Sequence, residues 1–357
     1  MKYLLRIKRK MEQNIIAPLS KFFYKRILYK KIKKLNKGIY SDKLDDAQIE
    51  KVNSVYRKFG VKNVSFLWHR FYTACNGVFS PFYIPETLFY TEIEPYLNNK
   101  DYKTVLSDKN LLEVLFPEVK QPITVVKNMN GLFQSGNRII SCKEAIGLCI
   151  STDEMIIKPS VDSGGGKNIQ VFNGLNNDKY YQKIFDLYKN DFIVQKRMNQ
   201  HPLMAQLNPT SLNTFRVLSL LEGKEVQPLS TIVRMGRNGA ITDNSTSGGI
   251  SCGVNSDGVL NPIGFNFSGQ SFYETDNGMH FKNVQLPFME KIKDSVNLLH
   301  QKLPYFRVIS WDLAIDTTSE VVLIEINVDG QDINFHQWNN GPVLAKLLTA
   351  CYVDVGN

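Results

Sequence analysis

The sequence predicts an α+β fold: two lobes with mainly antiparallel sheets, preceded by a mostly helical N-terminal region. Three observations predict it. Apolar residues recur at helical spacing through the first part of the chain, then give way near residue 122 to short β-type runs interleaved with helices. Strands and helices mixed in that order read as α+β or α/β. The chain has 357 residues, 43% of them hydrophobic, which is more than one small core requires. There is no internal repeat, and no apolar run approaches the roughly 20 residues needed to span a bilayer.

The N-terminal segment is read as residues 1–38. It holds 13 of the 43 Lys and Arg and one of the 34 Asp and Glu, a net +12 that leaves the rest of the chain at −3. Any electrostatic partner therefore belongs to this segment and not to the body. Leu19, Phe22, Phe23, Ile27, Leu28 and Ile32 alternate with lysines, and Pro18 marks a break or a first helical turn. Three readings stay open: a helix docked on the body, a helix on an anionic membrane surface, or a nucleic-acid contact, the least favoured. The charge here also excludes the apolar core of a secretory signal.

Residues 39–121 are expected to form a helical, aromatic-rich domain. A helix is expected over 42–59, opened at Ser41–Asp42, with short helices over 61–97 around Pro81, Pro85 and Pro95. Another is expected over 107–116, with Ser107 as its cap and Pro117 as its stop. A lobe over 122–195 and a second over 196–357 follow. Strands are expected at 123–127, 138–140, 155–158, 169–172, 192–195, 214–221, 230–235, 308–315 and 321–326, with helices near 142–150, 177–189, 286–302 and 341–350. The stretch 236–253, rich in Gly, Ser and Asn, reads as a long mobile loop. Five cysteines without a CxxC pair argue against a zinc ribbon or a disulfide framework and fit a reducing cytoplasm.

Two motifs carry chemistry. In the first, a strand ends at Lys158-Pro159 and runs into Ser160-Val161-Asp162-Ser163-Gly164-Gly165-Gly166-Lys167 before a second strand. Glycines let backbone N–H groups approach phosphate oxygens, and the lysine adds a point charge. Val161 and Asn168 exclude a Walker A loop. An ordinary hairpin is the bland alternative. In the second, Trp311-Asp312-Leu313-Ala314-Ile315 and Val321-Val322-Leu323-Ile324-Glu325-Ile326-Asn327 flank a polar turn at 316–320. Glu325 and Asn327 share one face of their strand, and antiparallel pairing sets Asp312 opposite Glu325. Opposed carboxylates inside apolar strands are costly, and a divalent cation such as Mg²⁺ resolves the conflict.

Together with Asp108-Lys109-Asn110, Asn213-Thr214-Phe215-Arg216-Val217, Asp243-Asn244 and Gly248-Gly249, these motifs form an ordered set over roughly 105–345. The set resembles the ATP-grasp superfamily, most closely its sugar-transfer-associated branch linked to bacterial polysaccharide synthesis. The resemblance implies two α+β lobes that sandwich ATP, with Mg²⁺ held by Asp312, Glu325 and Asn327. It implies phosphate contacts from Lys158, Lys127, Ser163, Gly164, Gly165 and Gly166. It implies adenine contacts from the backbone of Val194 and the side chains of Gln195 or Lys196, with His201 near the ribose and Thr214 beside the cleft. Arg216 and Arg234 would serve a phosphate or carboxylate, a salt bridge being the alternative for Arg216, and Asn244 would help hold the acyl phosphate or acceptor.

The implied activity is that of an ADP-forming ligase. A carboxylate attacks the γ-phosphorus of ATP, and an amine then displaces phosphate from the acyl phosphate. No GxSxG, HExxH or Cys–His pattern offers a nucleophile instead. The branch implies a uronic-acid carboxylate of a capsule or exopolysaccharide unit, small or lipid-linked, amidated by an amino acid or amine. It also implies a cytoplasmic enzyme, peripheral on the inner face of the plasma membrane if the basic segment binds lipid. A sugar or alcohol kinase using the same ATP site and a nucleotide-binding scaffold are the rival readings.

Overall fold

The computed structural model describes residues 17–39, 42–161, 166, 168–174, 177–244 and 247–352. The chain divides into two compact units. One holds residues up to Asn98, Ser268–Gln270 and the chain from Asp332; the other holds Asn99–Phe267 and Ser271–Gln331.

In the first unit, helix α1 (Ala17–Gly38) places Pro18 in its first turn, where the missing N–H costs nothing. Leu28, Ile32 and Leu35 form its buried stripe. Helix α2 (Asp46–Lys58) opens one turn later than the sequence suggested. The Asp45 carboxylate accepts from the Gln48 N–H at 2.7 Å, and Gln48 returns a bond to the Asp45 N–H at 3.1 Å. This reciprocal capping box outcompetes a start at Asp42; Ser41 lies outside the described residues. Helix α3 (Phe66–Asn76) buries Trp68, His69, Phe71 and Tyr72 and stops at Gly77 with φ of 73°. Short helical turns over Glu86–Leu97 follow, and the helices Ile333–Asn340 and Lys346–Tyr352 also belong to the unit. Buried Gln337 clamps the Ile84 peptide, accepting from its N–H at 2.7 Å and donating to its carbonyl at 2.9 Å. The Ile333–Asn340 helix was not visible in the sequence, because its polar residues are buried by hydrogen bonding and not by apolar periodicity.

The second unit contains both sheets. The first has six antiparallel strands: β1 (Thr124–Met129), β2 (Leu132–Ser135), β3 (Arg138–Ile140), β4 (Glu154–Pro159), β5 (Gln170–Asn173) and β6 (Phe192–Lys196). Their order is β3-β2-β1-β6-β4-β5. Helices α4 (Cys142–Ile150) and α5 (Asp178–Tyr188) cover one face of it, around Val126, Ile157, Val194 and Phe185. The second sheet has seven strands: β7 (Thr214–Glu222), β8 (Glu225–Met235), β9 (Ile250–Val254), β10 (Leu260–Asn266), β11 (Ser271–Phe272), β12 (Val308–Ile315) and β13 (Val321–Asn327). They run in the order β11-β10-β9-β8-β7-β12-β13. Helix α6 (Met289–His300) packs Ile292 and Val296 into the core of this sheet. No helix among the described residues is long and apolar enough to cross a membrane.

Three expectations are corrected here. The helix over 107–116 is broken. Ser107 ends a short turn, Lys103–Leu106, and Asp108 accepts from the Asn110 N–H at 3.0 Å to start a separate 3₁₀ turn. Such an Asx bond competes with helix continuation. The segment 99–121 belongs with the sheets and not with the helical region, because Leu106, Leu112, Phe116 and Val119 enter the core around Trp311. The loop expected over 236–253 closes early, since Ile250 begins a strand between β8 and β10.

Candidate nucleotide and metal site

The register of the first sheet aligns two lysines. Ile193 of β6 pairs with Lys127 of β1 on one side and Lys158 of β4 on the other. Laterally opposed residues share a face, so both lysines point the same way, about 10 Å apart across two strand spacings. Alternation sends Val126, Ile157 and Val194 to the opposite, core-filling face. Gln195 pairs with Thr124 and Ile156 and falls on the lysine face.

Lys158 and Lys127 differ in their partners. Lys127 Nζ lies 2.7 Å from Glu113 Oε2. Lys158 is buried and forms no salt bridge among the described residues. Burial, and next the charge of Lys109, push its ammonium down to about 8, against an opposing pull from Glu325. A buried ammonium without a carboxylate at hydrogen-bond distance is costly unless an anion arrives.

The broken 107–116 segment explains Lys109. Its backbone N–H donates to Ser160 O at 2.9 Å, stitching the turn to the end of β4. Its side chain, buried, reaches Glu325 Oε1 at 2.7 Å. Lys109 thus ties the strand-end lysine to the acidic strands, which brings the two motifs together. Sequence reasoning quoted Lys109 in a motif but gave it no role. The Asp-x-Asn spacing that turns it inward was the available signal.

On β12 and β13, Asp312 pairs with Glu325, with a bulge between Asp312 and Leu313. Arg216, opposite Asp312 on β7, grips the carboxylate with Nε and Nη2, each at 2.8 Å. Arg234 Nη2 adds a contact at 3.2 Å and reaches Asp243 at 3.1 Å; its Nε donates to Thr214 Oγ1 at 3.2 Å. Thr214 Oγ1 in turn donates to Asp243. Burial alone would raise the Asp312 carboxyl, but Arg216 and Arg234 overcome it and hold it at about 2. Asn327 adds to that hold. Arg216 therefore takes the salt-bridge alternative, because β7–β12 pairing sets it beside a buried acid.

Metal fit follows from this donor set. Among the described residues no three His, Cys, Asp or Glu side chains converge. Arginines occupy both Asp312 oxygens, and Lys109 holds one oxygen of Glu325. This is not a free-standing cage. Two carboxylates in register beside one amide do fit Mg²⁺ that arrives with phosphates, since that ion takes one or two protein carboxylates and fills its shell with phosphate and water oxygens. Five cations (Lys109, Lys127, Lys158, Arg216, Arg234) meet four carboxylates (Glu113, Asp243, Asp312, Glu325), an excess suited to an anionic ligand. Asn110 Oδ1, Asn128 Nδ2, Ser160 Oγ and Gln195 Oε1 are buried without hydrogen-bond partners near the same strands, a pattern that calls for ligand or solvent contacts.

Other expected residues fall as follows. Gly166, with φ of 65°, would bring a Cβ within 3.4 Å of Thr242 Oγ1 and 3.5 Å of Asn244, so Gly166 lies against these two residues. Ser163, Gly164 and Gly165 lie outside the described residues. Val194 sits mid-strand with pairing partners on both sides, so its peptide groups are committed to the sheet and cannot read a ring. Lys196 alternates to the face of Val194, away from Lys158, and its N–H donates to Ile123 O at 2.8 Å. His201 caps the Pro202–Leu207 helix through Nδ1, 3.2 Å from the Leu203 N–H, and packs edge-on against Phe288.

Similar solved structures include a synthetase and two ligases. D-cycloserine synthetase aligns at 10% identity over 71% of this chain and 73% of its own, with a TM-score of 0.44. The VanG D-Ala:D-Ser ligase of Enterococcus faecalis aligns at 12% over 70% and 62%, with a TM-score of 0.43. The D-alanine–D-alanine ligase of Bacillus anthracis aligns at 10% over 72% and 71%, with a TM-score of 0.40. The chain spans 45% of the length of N5-carboxyaminoimidazole ribonucleotide synthetase, a further similar structure. Among curated proteins, none matches the chain in sequence. The profile of one family matches residues 88–352, covering the strand-end lysine, both arginines and the acidic strands: the chain belongs to the sugar-transfer associated ATP-grasp family.

Proposed function

We propose that this protein is an ATP- and Mg²⁺-dependent carboxylate–amine ligase that works through an acyl phosphate. The observation that carries the reading is Lys158: a buried ammonium with no salt bridge among the described residues, on the same sheet face as Lys127 and within the electrostatic reach of Lys109 and Glu325. That arrangement suits the phosphates of a nucleotide. Gln195, with an unsatisfied buried Oε1 on the same face, suits a donor on the adenine edge.

Each residue then has a task. Lys158 and Lys127 hold phosphate oxygens and draw charge from the γ-phosphorus as a substrate carboxylate oxygen attacks it and ADP leaves. Gly164, Gly165 and Gly166 lack the Cβ that would keep backbone N–H groups from phosphate oxygens. Glu325, Asp312 and Asn327 would hold Mg²⁺, which supplies Lewis-acid charge at the phosphates. Arg216 and Arg234 keep Asp312 ionised and aimed. Asn244, against Gly166, lines the acceptor side. The amine then attacks the acyl carbon, loses a proton, and inorganic phosphate departs. Positioning and electrostatics supply most of the rate.

The family's sugar-transfer association supports a uronic-acid sugar of a capsule or exopolysaccharide, free or lipid-linked, as the carboxylate, with an amino acid or amine as the acceptor. We read the protein as a cytoplasmic enzyme, peripheral on the membrane through its basic N-terminal helix, a reading supported by the charge of residues 1–38. The test is incubation with ATP, Mg²⁺, candidate uronates and an amino-acid mixture. Equimolar ADP and phosphate with a new amide by mass is the expected result. A phosphorylated sugar without amide would replace the ligase with a kinase, and no ADP with any acceptor would leave a scaffold.

A further inference from the structure

Helix α1 is used on two sides. Its buried stripe, Leu28, Ile32 and Leu35, is seated on the unit, and Lys31 pairs with buried Glu86 at 2.7 Å. Asn36 Nδ2 donates to Leu67 O at 3.1 Å, fixing the helix beside α3. The opposite side leaves Leu19, Phe22, Phe23 and Ile27 between 53% and 61% exposed. Large apolar groups grouped this way on a helix are not the scatter expected of an ordinary surface.

Between α1 and the turns that flank α3 lies an open groove of about 1200 Å³. Its apolar lining includes Phe22, Tyr29, Val61 and Phe66, and its rim carries Arg26, Lys30, Lys33, Lys43 and Lys62. None of those five cations has an acidic partner among the described residues, while Glu92, the one acid in the lining, is held by Lys21 and Lys25. Arg26 and Lys33 lie over the rings of Phe22 and Tyr29, at 5.7 and 4.6 Å. Apolar walls crowned by unpaired cations complement a molecule with a strongly anionic head and a hydrocarbon tail.

We infer that this groove binds the phosphate headgroup of an anionic lipid, with the lipid chains against Phe22 and the exposed Leu19, Phe23 and Ile27. The proposal deepens the membrane-side part of the reading above and is independent of the ligase chemistry. Arg26, Lys30 and Lys33 share the helix face that borders the groove, and Lys43 and Lys62 close it from the far wall. A phosphomonoester head, doubly charged, makes fuller use of five cations than a singly charged diester does.

The test uses the full chain and sedimentation with vesicles of phosphatidylcholine alone, with phosphatidic acid, or with phosphatidylglycerol at equal surface charge. Wild type is expected to prefer phosphatidic acid by at least tenfold. The triple variant Lys30→Glu, Lys33→Glu, Lys62→Glu is expected to lose at least about a hundredfold, since each cation at an anionic surface is worth about fivefold and each replacement also adds a repelling charge. Phe22→Ser with Phe23→Ser keeps the charges and is expected to weaken the same binding by tenfold or more. Circular dichroism confirms that the variants fold, and Mg-ATP affinity, read separately, is expected to match wild type. Equal binding to both anionic lipids, or unchanged binding by the triple variant, overturns the site. Displacement from vesicles by millimolar inorganic pyrophosphate with no effect of the Phe variants would identify a soluble phosphate ligand and also overturn it. Loss of ATP turnover with intact vesicle binding would count against the ligase alone.

Discussion

Nucleotide affinity should depend on pH through Lys158. Its ammonium sits near 8 in the free protein, against an ordinary lysine value of 10.5. That gap of roughly 2.5 units corresponds to about 3 kcal/mol of penalty for keeping the charge in a buried site. Phosphate oxygens would relieve the penalty and raise the bound-state pKa. The sign follows by linkage. Below pH 8 Lys158 is already charged in the free protein, so binding takes up little proton and the affinity is flat. Above pH 8 the free protein has lost this proton and the complex regains it, so Kd rises by up to about tenfold per pH unit until the bound-state pKa is reached. Folding stability moves the other way. A lysine with a lowered folded pKa opposes folding below 8, and stability is regained as pH rises from 8 to 10.5. Calorimetric titration of Mg-ATP from pH 7 to 10, in buffers of different ionisation enthalpy, measures both slope and proton uptake. Lys158→Ala should bind at least tenfold more weakly at pH 7.5 and show no such slope. A flat wild-type profile to pH 10, or the same slope in Lys158→Ala, would refute the argument.

Four further outcomes are expected. Glu325→Gln should cut turnover at least a hundredfold with little change in melting temperature, because it neutralises a carboxylate proposed to hold Mg²⁺, about a third exposed, and keeps its volume and an acceptor for Lys109; near-normal turnover in a coupled ADP assay would remove Glu325 from the proposed metal site. Arg216→Ala should cost up to about 3–5 kcal/mol in denaturant unfolding, since it removes both 2.8 Å contacts to the buried Asp312 carboxylate and leaves it the 3.2 Å contact from Arg234. The same pair predicts acid sensitivity: with Asp312 held at about 2, its contribution is complete above the ordinary carboxylate range and is lost as pH falls from about 4 through 2. Gly249→Ala should cost about 1–3 kcal/mol, because its Cβ would meet the Asp243 carbonyl at 2.6 Å and the Asn244 carbonyl at 2.8 Å; the accompanying shift of Asp243 should show as reduced turnover.

Local rules made much of this protein legible. Period-two alternation in 311–315 and 321–327 was enough to set Asp312 opposite Glu325, because a short turn leaves only one register that buries the apolar face. The same logic carried the strand that ends at Lys158. The capping box at Asp45 and the Asx turn at Asp108 are also local, and were misjudged only because two start signals competed within a few residues. What the chain could not reveal alone depends on partners distant in sequence. Lys109 reaches Glu325 across 216 positions, and Arg216 reaches Asp312 across 96. Strands β9 to β11, interrupted by glycine and proline, gain their structure from neighbouring edges and not from their own propensity. Tertiary structure alone decided which cations are neutralised and which, like Lys158, have no salt bridge among the described residues. Coulomb and desolvation terms depend on distance and burial, and sequence spacing carries neither.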